Sequence, residues 1–224
     1  MGGTGSFPID LVLFGMIAAF LVLRLRGILG RRTGFERQQA ERGPVAVPGM
    51  DRPPGPVIEG KAEAAAPVRT LPEPASPAGE ALQQMRNIDR TFDPAHFLAG
   101  AEAAFGMIVT AFAAGDRVTL RPLLGDATYS SFEQAIAARE TAGETAKTEI
   151  RGFQQVQIES ASLAGTLAGI TVNFVSDQIS ETLDRQGKPV HGTDAVTEIR
   201  DLWTFERDLA QSDPAWRLAA ARSA

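Results

Sequence analysis

The side chains that could carry catalysis or bind a metal are few in this chain. Cysteine is absent, and the two histidines are His96 and His191. A chain without thiols has no disulfide, no thiolate nucleophile and no cysteine-based metal site. Neither histidine stands in a metal-binding spacing such as HExxH, and the sequence contains no GxSxG turn or glycine-rich phosphate loop. We therefore predict no cofactor and no metal.

Asp201 is the one residue whose position suggests acid–base chemistry. In strict strand alternation it shares a face with Ile199 and Trp203, so its carboxyl group could point into an apolar interior. Burial there would raise its pKa and make it a candidate general base. The alternative is a strand residue that pairs with an arginine near the rim or is displaced by a bulge. We expect a protein that is not an enzyme, with a small-molecule enzyme using Asp201 as the alternative.

The charge balance argues against nucleic acid as a partner. The chain has 22 lysines and arginines against 27 aspartates and glutamates, a net charge of −5. Binding to phosphate backbones depends on a dense basic face, and no such face is visible in the sequence.

The segment Leu11–Leu23 reads LVLFGMIAAFLVL and carries no charge. With its flanks it reaches about twenty residues, enough to cross a bilayer. We predict a transmembrane anchor over residues 1–30, and we expect the arginines that follow the apolar core to contact lipid head groups. The alternative is that they only stop transfer. These residues are Arg24, Arg26, Arg31 and Arg32.

A cleaved signal peptide is the rival interpretation of this segment. A signal peptide has its positive charge before the apolar run, whereas here Asp10 precedes the run and the arginines follow it. Because positive charge is retained on the cytoplasmic side, we expect a single pass through a bacterial inner membrane. The amino terminus would be outside and the C-terminal part in the cytoplasm.

Residues 31–79 form a basic juxtamembrane segment followed by a stretch rich in proline and alanine, for example PVRTLPEPASPAG. Such a composition cannot bury enough apolar surface to offset the entropy of ordering. We predict a disordered linker that ends near residue 80.

Periodic patterning returns at residue 80 and predicts a first amphipathic helix. Asp93 and Pro94 then supply an N-cap and a first helical residue for a second helix, which closes at Gly115. We expect one stripe of this helix to face inward, formed by Phe97, Ala101, Phe105, Ile108 and Phe112. A short turn over 118–124 follows, and Asp126 then caps a third helix that ends at Gly143. The apolar residues of the first helix, Leu82, Met85, Ile88 and Phe92, recur at helical spacing.

The uncharged stretch 103–115 lies inside the second predicted helix and could be mistaken for a further span. It is short, is rich in alanine and glycine, and is bordered by Glu102 and Asp116. We predict a buried helix instead.

After Gly143 the period changes to two, with turns at 164–166 and 185–187 and a break at Asp213-Pro214. Helices followed by consecutive hairpin strands predict an α+β fold with helices on one face of a curved antiparallel sheet. Such a half-cone can enclose an apolar cavity for a protein segment or a lipid; the alternative is that aromatic rings fill the core. The candidate lining residues are Phe97, Phe105, Phe112, Phe174, Trp203 and Phe205.

Four segments resemble the Tim44-like domain family, whose members include a mitochondrial inner-membrane import subunit and alphaproteobacterial membrane proteins. They are FDPAHFLAGAEAAFGMIVTAFAAGD (92–116), LRPLL (120–124), DLWTFERDL (201–209) and DPAWRL (213–218). The resemblance covers roughly residues 80–221, and the apolar anchor followed by arginines is similar to that of the bacterial members.

The resemblance implies a cone like that of nuclear transport factor two (NTF2-like) with a large apolar pocket. It also implies membrane contact by the first helix, here Leu82 to Phe92, and an adaptor role in protein translocation or membrane protein assembly. The mitochondrial relative tethers a heat-shock chaperone through a long charged N-terminal region that this sequence lacks, which puts chaperone tethering in doubt. Another relative helps to hold the mitochondrial ribosome at the membrane, so a ribosome anchor is a further alternative.

Overall fold

The computed structural model describes residues 67–223. Along these residues a short strand comes first, four helices follow, and four further strands complete the domain. The elements are β1 (Val68–Thr70), α1 (Pro77–Ile88), α2 (Pro94–Ala114), α3 (Arg117–Leu123), α4 (Asp126–Ala142), β2 (Thr145–Ala164), β3 (Leu167–Leu183), β4 (Pro189–Asp208) and β5 (Arg217–Ser223). The predicted α+β class is confirmed. The predicted transmembrane anchor and the greater part of the predicted linker lie outside the described residues.

Ordered structure begins earlier than the predicted boundary at residue 80. Strand β1 and the first turn of α1 both lie within the predicted linker 31–79. Helix α1 begins at Pro77 because Ser76 caps it, its Oγ accepting a hydrogen bond from the Gly79 amide at 3.1 Å. The proline content that predicts a linker here belongs in part to a helix start, where proline is well tolerated.

Helix α2 begins and ends as its sequence predicts. The Asp93 carboxylate accepts a hydrogen bond from the His96 amide at 2.7 Å, and Pro94 takes the first helical position. Gly115 ends the helix in the left-handed conformation, with φ of 72°, which glycine adopts without steric cost. The predicted buried stripe is observed in four of its five members, since Phe97, Ala101, Phe105 and Ile108 are buried.

Two predicted details of the next segment are wrong. The predicted turn 118–124 is the short helix α3, capped by Asp116, whose carboxylate accepts from the Thr119 amide at 3.0 Å. Asp126 does not cap α4: Gly125 is the N-cap, and Asp126 is the first helical residue and pairs with Arg121. An acidic residue stabilises the first turn of a helix in either position, because it interacts favourably with the helix dipole.

The five strands form one sheet in the order β1-β2-β3-β4-β5. The pairs from β2 to β5 are antiparallel, whereas the edge strand β1 pairs with β2 in parallel. The sheet is therefore mixed rather than wholly antiparallel as predicted. The parallel strand escaped the sequence analysis because it comprises three residues with no alternation of their own.

Strand β2 bends at three register shifts against β3, between Ile150 and Gly152, Phe153 and Gln155, and Ile158 and Ser160. Each shift places an extra residue on β2, and such bulges bend and twist a strand. The sheet thereby curves, and α1 and α2 pack against β2 on its inner side.

One ion pair links the end of α1 to strand β4. The Arg207 guanidinium in β4 donates to the Asp89 carboxylate, just after α1, at 3.0 Å, and the two side chains are 12% and 13% exposed. Hydrogen bonds from the Thr91 hydroxyl and amide, with Arg207 as a further cause, lower the pKa of Asp89. The pair fixes the exit of α1 against the end of the sheet.

We expect Arg207→Gln to lower the free energy of unfolding by about 1–3 kcal/mol, because it leaves a largely buried carboxylate without its charged donor. Urea denaturation followed by tryptophan fluorescence measures this loss. Arg217→Gln is the matched control: its partner Asp213 is also 3.0 Å away, but both side chains are about half exposed, so a loss below about 0.5 kcal/mol is expected. Equal losses for the two variants would contradict the structural role of the Asp89 pair.

The lowered pKa of Asp89 predicts a pH dependence. Since the folded carboxyl group is more acidic than the unfolded one, its contribution is present above the ordinary aspartate pKa of about 3.9 and is lost as the pH falls through the lowered folded value. The difference in unfolding free energy between wild type and Asp89→Asn should therefore shrink on acidification from neutral pH. A difference that stays constant down to the acid limit of the folded state would contradict this.

Candidate functional site

Five of the six predicted lining residues lie in the interior, where they contact one another. Phe105 is fully buried, and its ring centroid lies 4.4 Å from that of Trp203 and 4.6 Å from that of Phe174. Phe97 meets Phe205 edge to face at 6.1 Å. We call these five residues the aromatic core. Its rings lie between the helices and the sheet, in the region where the sequence predicted a ligand cavity.

Phe112, the sixth predicted lining residue, is separate from the aromatic core. It packs on Phe132 of α4 with ring centroids 4.9 Å apart, and the Arg139 guanidinium lies 5.3 Å from its centroid. Arg139 also donates to the Phe112 and Ala113 carbonyl oxygens at the end of α2. Partial burial lowers the pKa of Arg139. Phe112 thus joins α2 to α4 rather than to the sheet.

The residues predicted to contact the membrane from the first helix mostly face inward. Leu82, Met85 and Phe92 are at most 6% exposed, whereas Ile88 is 44% exposed. These side chains face inward because α1 packs against β2, which gives the apolar stripe of the helix a protein partner. Phe92 lies beyond the end of α1, and its ring centroid is 5.7 Å from that of Trp216. The other predicted contact residues, Arg24, Arg26, Arg31 and Arg32, lie outside the described residues.

Asp201 takes the orientation that strand alternation predicts. It pairs with Phe174 across the sheet and with Ser223 of β5, and it is 4% exposed. Ser176 and Gln178 are also buried, and the Gln178 amide donates to the Ser176 hydroxyl at 2.9 Å. A buried polar strip therefore continues the inner face of the sheet beyond the aromatic core.

His191 lies far from Asp201 along the sheet. His191 pairs with Thr182 of β3, eight residues from Phe174, the partner of Asp201, so the two residues are about 26 Å apart along the sheet. His96 is exposed at the start of α2. Among residues 67–223 no three His, Cys, Asp or Glu side chains are grouped to hold a metal ion.

An open groove of about 610 Å³ lies between α2 and the first half of β2, and we call it the α2–β2 groove. Its volume is within the usual range for ligand sites. Helix α2 contributes mostly small residues and one acidic residue to the lining. Strand β2 contributes residues from Thr148 to Phe153. The lining residues are Ala99, Glu102, Ala103, Gly106, Thr110, Thr148, Glu149, Ile150 and Phe153. None of the six predicted lining residues is among them.

The sequence analysis missed Phe153, which connects the groove to the aromatic core. Its ring centroid is 5.4 Å from that of Phe105. Strict alternation from Val156 points Phe153 outward, but the extra residue between Phe153 and Gln155 turns it to the inner face, opposite Ser176. Only the bulge makes it a site residue, and no sequence signal for that bulge was recognised.

Both carboxylates of the groove have cationic partners. Arg69 of β1 donates to Glu102 at 2.9 Å, and Arg151 lies 2.9 Å from Glu149. The Arg69 contact also holds the short strand β1 against α2. The groove is therefore close to neutral, and its walls are mainly small or apolar.

Helix α2 is long and apolar enough to cross a membrane by length and composition, and a third of its most apolar window is buried within the domain. Its inner stripe packs on the sheet, with Phe105 and Ile108 fully buried. Its residues that line the groove are mostly small, whereas Met107 is large and 48% exposed. These contacts agree with a core helix whose other face borders the groove.

Helices over one face of a curved sheet, with an open lateral groove beside them, define an α+β domain. The model of the Tim44-like domain family matches residues 78–223. The chain belongs to this family.

Several solved structures are similar to this chain at low sequence identity. The intermembrane-space region of the chloroplast protein ARC6 has 11% identity and a TM-score of 0.43 over 56% of this chain and 94% of its own. A candidate NTF2-like dehydratase from Streptomyces avermitilis has 14% identity and a TM-score of 0.35 over 58% and 96%. A candidate ketosteroid isomerase from Shewanella frigidimarina has 13% identity and a TM-score of 0.29 over 69% and 100%. A search of curated proteins found no match.

The packing of Phe105 predicts that the aromatic core is structural. We expect Phe105→Ala to lower the free energy of unfolding by about 3–5 kcal/mol, the usual cost of emptying a buried phenylalanine site. Phe112→Ala, at a partly buried site outside the aromatic core, should cost clearly less; denaturant unfolding measures both. A cost for Phe105→Ala below about 1 kcal/mol would indicate that the ring borders open space instead.

Proposed function

We propose that this protein is a non-catalytic adaptor whose Tim44-like domain is held at the cytoplasmic face of a bacterial inner membrane and docks a membrane or translocated protein. The observation that carries the proposal is the match to the Tim44-like family over residues 78–223. This domain stands behind an uncharged segment, Leu11–Leu23, that is followed by arginines. Membrane association is a property of the family.

The chemistry of the described residues supports binding rather than catalysis. The aromatic core is packed, the buried acid Asp201 lies far from His191, and the open site is a nearly neutral groove. Catalysis requires titratable groups that converge on a substrate, whereas docking requires apolar surface and available backbone. The α2–β2 groove provides the apolar surface.

Anchoring would act through effective concentration. A domain connected to a span by a linker of about forty residues stays within tens of Å of the bilayer if the linker is flexible. Its encounter with a membrane-embedded partner then becomes nearly intramolecular. A low intrinsic affinity of the groove for its partner is sufficient under those conditions.

We expect the full chain to remain with inner membranes after an alkaline carbonate wash, and a variant without residues 1–30 to be released. The domain should resist protease added to intact spheroplasts and become sensitive once the membrane is opened. Recovery of mature chains that begin beyond residue 40 and wash off freely would contradict the anchor. Digestion in intact spheroplasts would contradict the orientation.

The adaptor role is tested by photocrosslinking in the same membranes. A photoreactive residue in place of Thr110, which lines the groove, should give discrete protein adducts. The same residue at Val118, which is 85% exposed and does not line the groove, is the control. Adducts of equal yield and identity at the two positions would contradict specific docking.

A further inference from the structure

We propose that the α2–β2 groove binds an extended, uncharged segment of a partner protein, which pairs with the open edge of β2 as an added strand in line with β1. This inference rests on the proposed adaptor function and specifies the kind of partner segment it takes.

The groove runs along the backbone edge of β2. Its lining includes Thr148, Glu149 and Ile150. Consecutive residues of a strand point to opposite faces of the sheet, so three successive residues can border one groove only where it follows the strand edge. The occupant therefore meets backbone as well as side chains.

That edge is open over the part that borders the groove. Strand β1 pairs only with Gln155, Val156 and Gln157, and β2 is followed in the sheet by β3 on its other side. Within residues 67–223 no strand pairs with the outer edge of β2 over 145–153. An unpaired edge of this kind is a template for another strand.

Strand β1 shows that this edge accepts an added strand. It sits at one end of the groove, and its Arg69 reaches Glu102 on the opposite wall at 2.9 Å. A segment placed in line with β1 would continue an interface that the fold already contains. A helix in the same place would leave the backbone groups of the edge without partners, which is costly where water is excluded.

The walls specify the side chains of the occupant. Ala99, Ala103 and Gly106 line α2, and small residues allow a second backbone to approach closely. Because the two groove carboxylates are already paired with arginines, a charged occupant gains little. Alternate small apolar side chains facing Ile150 and Phe153 fit best.

Two glycines of α2 provide a matched pair of variants. A Cβ at Gly106 or at Gly100 would meet nothing within 4 Å, but only Gly106 lines the groove. Gly106→Leu should fill the groove, and Gly100→Leu should leave it open. Both changes alter helix propensity in the same way, so a difference between them reports on the groove.

The test uses the full chain in detergent micelles and a fluorescent nonapeptide of alternating valine and serine with lysines at its ends. Anisotropy should show binding that Gly106→Leu weakens by about tenfold or more and Gly100→Leu leaves unchanged. N-methylation of alternate peptide amides should abolish binding in one of the two registers, because it removes the main-chain hydrogen bonds along one edge. Lack of binding, or equal binding by both variants, would overturn the proposal.

Two other occupants are outcomes of the same experiment. Binding that appears only after deletion of residues 31–66 would assign the groove to the chain's own preceding segment. A dimer that Gly106→Leu dissociates in analytical ultracentrifugation would assign it to a second copy. Either result overturns the partner proposal. Membrane retention and crosslinking from other positions of the domain that persist in Gly106→Leu would leave the adaptor function intact, so the two failures are distinguishable.

Discussion

The structure depends on the packing of one face of α2 into the curved sheet. Phe105 and Ile108 are fully buried on that face, and Phe105 contacts Phe174 and Trp203 from two different strands. Large rings stabilise an interior by the apolar area they remove from water and by edge-to-face contacts. The same helix meets two central strands through one ring, and it also positions α4 through the contact between Phe112 and Phe132. The helical layer is thus organised around α2.

The same helix gives the domain its external site because its two faces differ in side-chain size. The inner face carries phenylalanines and the outer face carries alanine and glycine, so large residues fill the interior and small ones leave a groove. Glu102 is the one acid in α2, and its pairing with Arg69 places β1 at one end of that groove. The short strand therefore covers three residues of the β2 edge and leaves the part beside Ile150 and Phe153 accessible.

The burial pattern also bears on the resemblance to membrane-contacting relatives. In this structure the apolar stripe of α1 is used internally, so Leu82 and Met85 serve the core rather than a bilayer. Of the predicted contact residues described here, Ile88 is available to lipid. Membrane attachment in the proposed function accordingly relies on the segment before the domain. Because anchoring and docking then use different parts of the chain, the α2–β2 groove does not have to face the bilayer.

The sequence by itself determined the fold class, the caps of α2, the turns between strands and the face on which Asp201 lies, because these follow from local rules: capping residues, glycine at positive φ and the two-residue period of a strand. Tertiary structure decided the features that these local rules do not determine. The bulges of β2 reverse the expected direction of Phe153, the parallel pairing orders Val68–Thr70 inside a proline-rich stretch, and the predicted lining rings pack against one another. Each of these features depends on contacts between residues that are distant in the chain. The volume left between several elements decides whether aromatic side chains line a cavity or fill it, and no single segment encodes that volume.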